Sequence, residues 1–167
     1  MLYYTTVNEL LKSSLSKLMA AKEFFQFRLV GGTALSLQIG HRESIDIDLF
    51  SDVEYGTLNF NEIEDFLKNN FEYVDFSDVP PAMGKAYFIG ENKDNTVKLD
   101  VFYTDTYIQP FIEEDGIRMA TIEEIIAMKV DVIQRGGRKK DFWDLHDLLD
   151  SHSITQMIDL HEQRYPY

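Results

Sequence analysis

The chain has 167 residues and carries 16 Lys and Arg against 29 Asp and Glu, a formal net charge of −13. That balance excludes a protein that grips nucleic acid through a broad basic surface, because such affinity comes from Lys and Arg neutralising phosphates. The absence of cysteine excludes disulfides and thiolate zinc sites, and the length suits one compact domain or a sheet domain with a helical annex.

The start, Met1-Leu2-Tyr3-Tyr4-Thr5-Thr6, lacks the basic segment and apolar run of a secretory leader. No uncharged apolar stretch approaches membrane-spanning length, so a cytoplasmic protein with no membrane association is the expectation. Thr6 and Glu9 make a capping-box pattern before an amphipathic helix over residues 7–21. Its apolar side, Leu10, Leu11, Leu15 and Leu18, is predicted to buttress a sheet.

Phe27, Leu29 and Val30 read as a buried strand that Gly31-Gly32 breaks, and residues 33–39 read as an apolar helix ending at Gly40. A turn placed there sits at a helix N-terminus, whose free N–H groups and positive dipole end favour an anion. Glycines permit close backbone approach to phosphate, and Thr33 adds a hydroxyl donor. A Gly-Gly turn alone is more often only a turn.

The following strand carries Asp46 and Asp48. Strand side chains alternate faces, so both carboxylates point the same way with Cα atoms roughly 7 Å apart, and such a pair can share a divalent cation. Magnesium takes oxygen ligands and binds through one or two carboxylates plus substrate phosphates, which makes nucleotide chemistry the leading reading. The plain alternative makes Ser44, Asp46 and Asp48 the solvated face of an edge strand whose Ile45, Ile47 and Leu49 point into the core.

Asn59 is predicted to cap a helix through Leu67, ended by Lys68-Asn69-Asn70. Residues 71–76, 86–89 and 97–103 then read as strands, with Pro80-Pro81 and Asn92-Lys93-Asp94-Asn95 as turns. In the last strand Lys98, Asp100 and Phe102 share one face and Val97, Leu99 and Val101 the other. Asp100 is therefore either a third carboxylate of the same site or a solvent-facing Asp paired with Lys98.

Thr121 and Glu124 form another capping-box pattern, opening a helix of Ile122, Ile125, Ile126, Met128, Val130 and Ile133 on which Lys129 stands out. The run Arg135-Gly136-Gly137-Arg138-Lys139-Lys140 joins it to the next helix and is either a local docking patch or a solvated turn. In that next helix Asp141 and Asp144 share a face at i and i+3, while Phe142, Leu145 and Leu149 mark a buried side and Trp143 is expected to pack rather than to stack on a base. Ser153 and Gln156 open a last helix ending near Tyr165-Pro166-Tyr167. His41, His146, His152 and His161 have no convincing metal or triad spacing, and no serine sits in a nucleophile elbow, which sets zinc and serine hydrolases aside.

Taken together, Gly31-Gly32-Thr33, Arg42, Ser44 and Asp46-Ile47-Asp48-Leu49-Phe50 form the first half of a longer pattern. Its second half is Lys129-Val130-Asp131-Val132-Ile133-Gln134-Arg135, followed by Lys140-Asp141-Phe142-Trp143-Asp144-Leu145. From about residue 27 to residue 149 the chain resembles the AbiEii/AbiGii toxin family of the nucleotidyltransferase superfamily. One departure is Gly32-Thr33, where a Gly-Ser pair is common in the superfamily; the hydroxyl survives the change.

The resemblance implies an α+β fold with a polymerase β-like core, a mixed sheet flanked by helices over residues 1–120. A C-terminal helical subregion over 121–167 follows, the two forming one cooperative unit. It implies a metal-dependent nucleotidyltransferase in which Asp46, Asp48 and Asp100 hold Mg2+ or Mn2+. In that picture Gly31, Gly32, Thr33 and Ser44 bind the NTP, and Lys129 meets its phosphates. Asp141, with Asp144 as the alternative, supplies a further functional carboxylate. It also implies a toxin that modifies RNA, at the acceptor end of tRNA, and is neutralised by a separately encoded antitoxin. A small-molecule or protein acceptor, or a regulatory protein that binds nucleotide without catalysis, remains the alternative.

Overall fold

Alternation of apolar and polar residues shapes the centre of the molecule. In the computed structural model, which describes residues 1–167, seven strands form one mixed sheet. They are β1 (Arg28–Val30), β2 (Asp46–Ser51), β3 (Tyr73–Asp75), β4 (Gly84–Asn92), β5 (Asn95–Tyr103), β6 (Ile112–Glu114) and β7 (Ile117–Met119), ordered β3-β4-β5-β2-β1-β7-β6. Six α-helices accompany them: α1 (Glu9–Ala20), α2 (Gly31–Ile39), α3 (Phe60–Asn70), α4 (Ile122–Gln134), α5 (Lys139–Asp147) and α6 (Ile154–Arg164). The result is an α+β architecture.

β2 runs parallel to β5 and antiparallel to β1, and β4 runs antiparallel to β5. Ile47, Leu49, Val97, Leu99 and Val101 are buried on one face of the central strands, which leaves Asp46, Asp48, Lys98 and Asp100 on the other. The aspartates therefore do not lie on an edge strand. Ile45 is not in the strand at all: it precedes β2 and is 68% exposed instead of pointing into the core.

Local signals set most helix ends. Asn8, not Thr6, caps α1, its side chain accepting from the Leu11 N–H at 2.8 Å, while the Thr6 hydroxyl donates to the Tyr3 carbonyl at 2.7 Å. Leu11, Leu15 and Leu18 are buried beneath the sheet, and Leu10 is only partly covered. Asn59 caps α3 as its sequence predicts, although the helix runs on to Asn70. The β6–β7 hairpin was not anticipated; its signal is Asp115-Gly116, with φ of 54° and 76°, the pair of positive angles that a two-residue type I′ turn requires.

Thr121 caps α4 by accepting from the Glu124 N–H at 3.2 Å, yet the reciprocal half of the capping box is missing. The Glu124 carboxylate turns away, fully buried, to accept from the N–H groups of Ile108 and Gln109 at 3.0 Å each and to pair with the Arg164 guanidinium. Arg164 also donates to Thr104 Oγ1 at 2.7 Å and to the Asp105 carbonyl at 3.0 Å, so the end of α6 is tied to the loop after β5. α6 itself opens with the Ser153–Gln156 capping box. Of the expected apolar side only Leu145 is buried; Phe142 on α5 and Leu149 just past its end stay half-exposed along an apolar groove against α6, and Trp143 does not pack, being 53% exposed. No helix is long and apolar enough to cross a membrane.

Truncating Arg164 while leaving Glu124 strands a carboxylate in the interior, so Arg164→Met should cost about 3–5 kcal/mol of unfolding free energy. Adding Glu124→Gln should recover part of that loss. Denaturant unfolding followed by far-UV and near-UV signals checks both. We expect the two signals to coincide, because the pair ties the helical end to the strand region.

Candidate active site

The site grows from the register of two strands. Asp48 on β2 and Asp100 on β5 are direct partners in the parallel ladder, with Asp46 opposite Lys98 one step earlier and Phe50 opposite Phe102 one step later. Side chains of paired residues share a face, so the period-two pattern of each strand brings two carboxylates together. The structure pairs Asp100 with Lys98, whose Nζ donates to Asp100 Oδ2 at 2.9 Å, and sets the same carboxylate beside Asp48.

The other oxygen, Asp100 Oδ1, is buried and has no hydrogen-bond partner. Burial, then the charges of Asp100 and Asp46, push the Asp48 carboxyl up to about 6. No three His, Asp or Glu side chains converge into a ready-made metal cage. A buried, unpartnered carboxylate oxygen beside a second carboxylate nonetheless has the donor chemistry of a hard divalent cation.

These groups open into a cavity of about 220 Å³ lined by Gly31, Gly32, Asp48, Asp100, Lys129 and Asp141 among others. α2 begins at Gly31, earlier than its sequence suggests, with no side chain capping its start, so the amides of its first turn lie beside that cavity. Gly31 has φ of +70°, and a Cβ there would stand 2.5 Å from Asp48 Oδ2. At Gly32 a Cβ would run into the Arg42 guanidinium. The two glycines thus admit a carboxylate and a cation against the helix start.

Thr33 and Ser44 are placed differently from expectation. Both are buried, their hydroxyls 2.7 Å apart, and the Thr33 hydroxyl also donates to the Asp46 carbonyl. Neither lines the cavity; they fix the start of β2 instead. Asp46 also lies outside the cavity lining, with Lys140 Nζ 3.7 Å from its Oδ2.

Lys129 is buried on α4 and its ammonium is held by Asp141 Oδ1 at 2.9 Å and Asp144 Oδ2 at 2.8 Å. Asp141 also accepts from the Arg138 N–H at 3.0 Å, closing the first turn of α5. Asp144 is the more deeply engaged: it is fully buried and accepts from Arg42 Nε at 2.6 Å, Arg42 Nη2 at 2.7 Å and His41 Nε2 at 2.7 Å. Burial works to raise both carboxyls, but hydrogen bonds outweigh it. Those from Arg42, His41 and Lys129 hold Asp144, and that from Lys129 holds Asp141, below the usual carboxylate range. Arg42 belongs to the pattern that carries the family resemblance, but its pairing with Asp144, about a hundred residues away, has no local signal.

A strand–Gly-Gly–helix unit, two carboxylates on the next strand and a third on its parallel neighbour define a nucleotidyltransferase of polymerase β-like fold. Residues 14–167 match the family described as nucleotidyl transferase AbiEii toxin, type IV toxin–antitoxin system, and the chain belongs to that family. An uncharacterised protein of Aquifex aeolicus (strain VF5) is 28% identical over 165 residues, which cover 92% of this chain and 73% of the other. Among solved structures, JHP933 from Helicobacter pylori is 23% identical with a TM-score of 0.61, over 92% of this chain and 68% of that one. The nucleotidyltransferase toxin MenT4 of Mycobacterium tuberculosis H37Rv is 12% identical with a TM-score of 0.53, over 89% of this chain and 60% of that one. These structural likenesses concern the fold.

Two stability outcomes follow from the charges. Asp144 sits below its unfolded pKa, so its contribution is present above about pH 4 and is lost as pH falls through its depressed folded value. Asp144→Asn should therefore lower stability at pH 7 by about 2 kcal/mol or more and flatten the acid limb of a stability–pH curve. Asp48→Asn should act in the opposite sense at pH 7 in a chelator. Removing one of two facing like charges is worth about 1 kcal/mol, a Tm rise of roughly 2–4 °C. Calorimetry of the two variants beside wild type checks both signs.

Proposed function

We propose that this protein transfers a nucleoside monophosphate from an NTP to an acceptor hydroxyl on RNA, with tRNA as the leading candidate. In this reading a separately encoded antitoxin controls the activity, as membership of a type IV toxin–antitoxin family suggests. The observation that carries the reading is the in-register pair Asp48 and Asp100, with Asp100 Oδ1 buried and unpartnered, in a cavity also lined by Gly31 and Gly32 at the uncapped start of α2. Asp46, Asp48 and Asp100 would hold Mg2+ or Mn2+. When bound, the cation supplies Lewis-acid stabilisation of charge developing on phosphoryl oxygens.

The remaining chemistry belongs to the chain's own groups. The first-turn amides at Gly31 and Gly32 take up phosphate charge at the positive end of α2. Lys129 has three N–H donors and spends two on Asp141 and Asp144, leaving one for the phosphates that enter the cavity it lines. Asp141 and Asp144 thus act by setting the ammonium's position, and Thr33 and Ser44 by anchoring Asp46. The acceptor oxygen attacks the α-phosphorus in line, the bond to the bridging oxygen of the β-phosphate breaks, and pyrophosphate leaves. The proton shed by the acceptor hydroxyl leaves to solvent water, because carboxylates that hold a cation stay in their charged form.

Incubation with each α-labelled NTP, magnesium and total cellular RNA tests this. Wild type should label RNA, and Asp48→Ala should lower the rate by about 100-fold or more while keeping its circular dichroism spectrum. Unchanged turnover in Asp48→Ala would remove the assignment. Magnesium-dependent stabilisation by an NTP without any labelled product would favour the regulatory, non-catalytic alternative.

A further inference from the structure

The sheet face that carries the carboxylates continues beyond them, and its continuation is open. β4 places Ala86 opposite Asp100 and Phe88 opposite Lys98, so Phe88, Lys98 and Asp46 stand side by side on three adjacent strands. Those three Cα positions span roughly 10 Å. Ala86 is small and exposed, and Phe88 keeps 43% of its surface in solvent. On the far side of Asp46 comes Lys140, and three residues along the same helix Trp143 is 53% exposed with Lys139 Nζ 4.7 Å from its ring centroid.

Exposed aromatic faces and cations thus flank the carboxylates of an acidic protein, with Phe88 and Lys98 on one side of Asp46 and Lys140, on the helix that carries Trp143, on the other. Trp143 is the only tryptophan of the chain, and folding leaves most of a large apolar ring wet at that spot. Neither Phe88 nor Trp143 is used by the core or by the nucleotide cavity.

We propose that this surface is the docking track for the single-stranded end of a polynucleotide acceptor. Bases stack on Phe88 and Trp143, Lys98 and Lys140 meet the backbone phosphates, and the terminal hydroxyl is delivered to Asp46 and Asp48. The proposal rests on the nucleotidyl-transfer reading. Separate aromatic faces require bases free of their own stack, which selects a single strand over a duplex, and base–aromatic stacking tolerates many sequences. A few local cations suit a short strand end, whereas a duplex tract would meet the chain's net negative charge.

The lone tryptophan provides the test. Titrating wild type with a short single-stranded RNA should quench Trp143 fluorescence, with a blunt duplex of the same length quenching far less. Trp143→Ala and Phe88→Ala should each weaken RNA binding by anisotropy, and raise the KM for RNA in the labelling assay, by about tenfold. The KM for NTP should not move, and Trp143→Phe should restore most of the loss. Labelling of RNA with unchanged KM in both alanine variants overturns the track while leaving nucleotidyl transfer standing. Quenching by single-stranded RNA with no transfer of label to it removes the transfer reading and, with it, the delivery of a terminal hydroxyl, and so overturns the track as an acceptor site. RNA binding that leaves Trp143 fluorescence untouched, or label that enters protein alone, overturns the track.

Discussion

Two carboxylates held face to face by the register of parallel strands are the constraint around which the other charges are arranged. Asp48 and Asp100 cannot drift apart, because β2 and β5 are locked together by an apolar face on which Ile47, Leu49, Leu99 and Val101 are wholly buried. The apolar face stabilises the fold, and the same ladder stores electrostatic repulsion on its opposite face. That repulsion is partly relieved from within by Lys98, which occupies one oxygen of Asp100 and leaves the other unpartnered. What is left over is an attraction for cations at one defined spot.

The second layer of charge follows from the first. A cation lining the same cavity as these carboxylates would be drawn onto them, and Lys129 is held back by Asp141 and Asp144. Asp144 in turn is held by Arg42, whose guanidinium lies over Gly32 at the start of α2. One network therefore links three helices at the cavity and fixes the ammonium in place. The Glu124–Arg164 pair does comparable work farther out, tying α4 and α6 to the loop after β5. Buried ion pairs are poor sources of net stability, but removing one partner of either would leave an uncompensated buried charge.

Much of this was legible where short-range periodicity decides the outcome. The two-residue alternation of β2 and β5 placed Asp46, Asp48 and Asp100 on polar faces, and the glycine pair marked the strand-to-helix turn. Which carboxylate faced which depended on the register between strands some fifty residues apart, and nothing local encodes that. The same limit explains Thr33 and Ser44: their hydroxyls suit phosphate binding by type, yet the fold brings the two together and spends them on each other and on the Asp46 backbone. Glu124 fitted a capping box by spacing, but its carboxylate found a stronger partner in Arg164, forty residues away. Trp143 departed for the opposite reason: its size suggested packing, and the inner face of α5 was already filled by Asp141, Asp144 and Leu145.

The acidity of the chain can now be reconciled with chemistry on phosphates. A net charge of −13 repels polynucleotides at distances comparable to the Debye length, about 8 Å in physiological salt, but acts weakly against a contact made within a few ångströms of a fixed cation. Asp141 and Asp144 balance the charge of Lys129 while leaving it one free N–H donor, so the cavity carries little net charge of its own. Lys98 and Lys140 likewise lean on Asp100 and Asp46, so each basic group near the site has an acidic partner close by. Such a surface is nearly silent at long range and selective at short range. On such a surface bulk attraction for a polyanion contributes little, and close fit decides what binds.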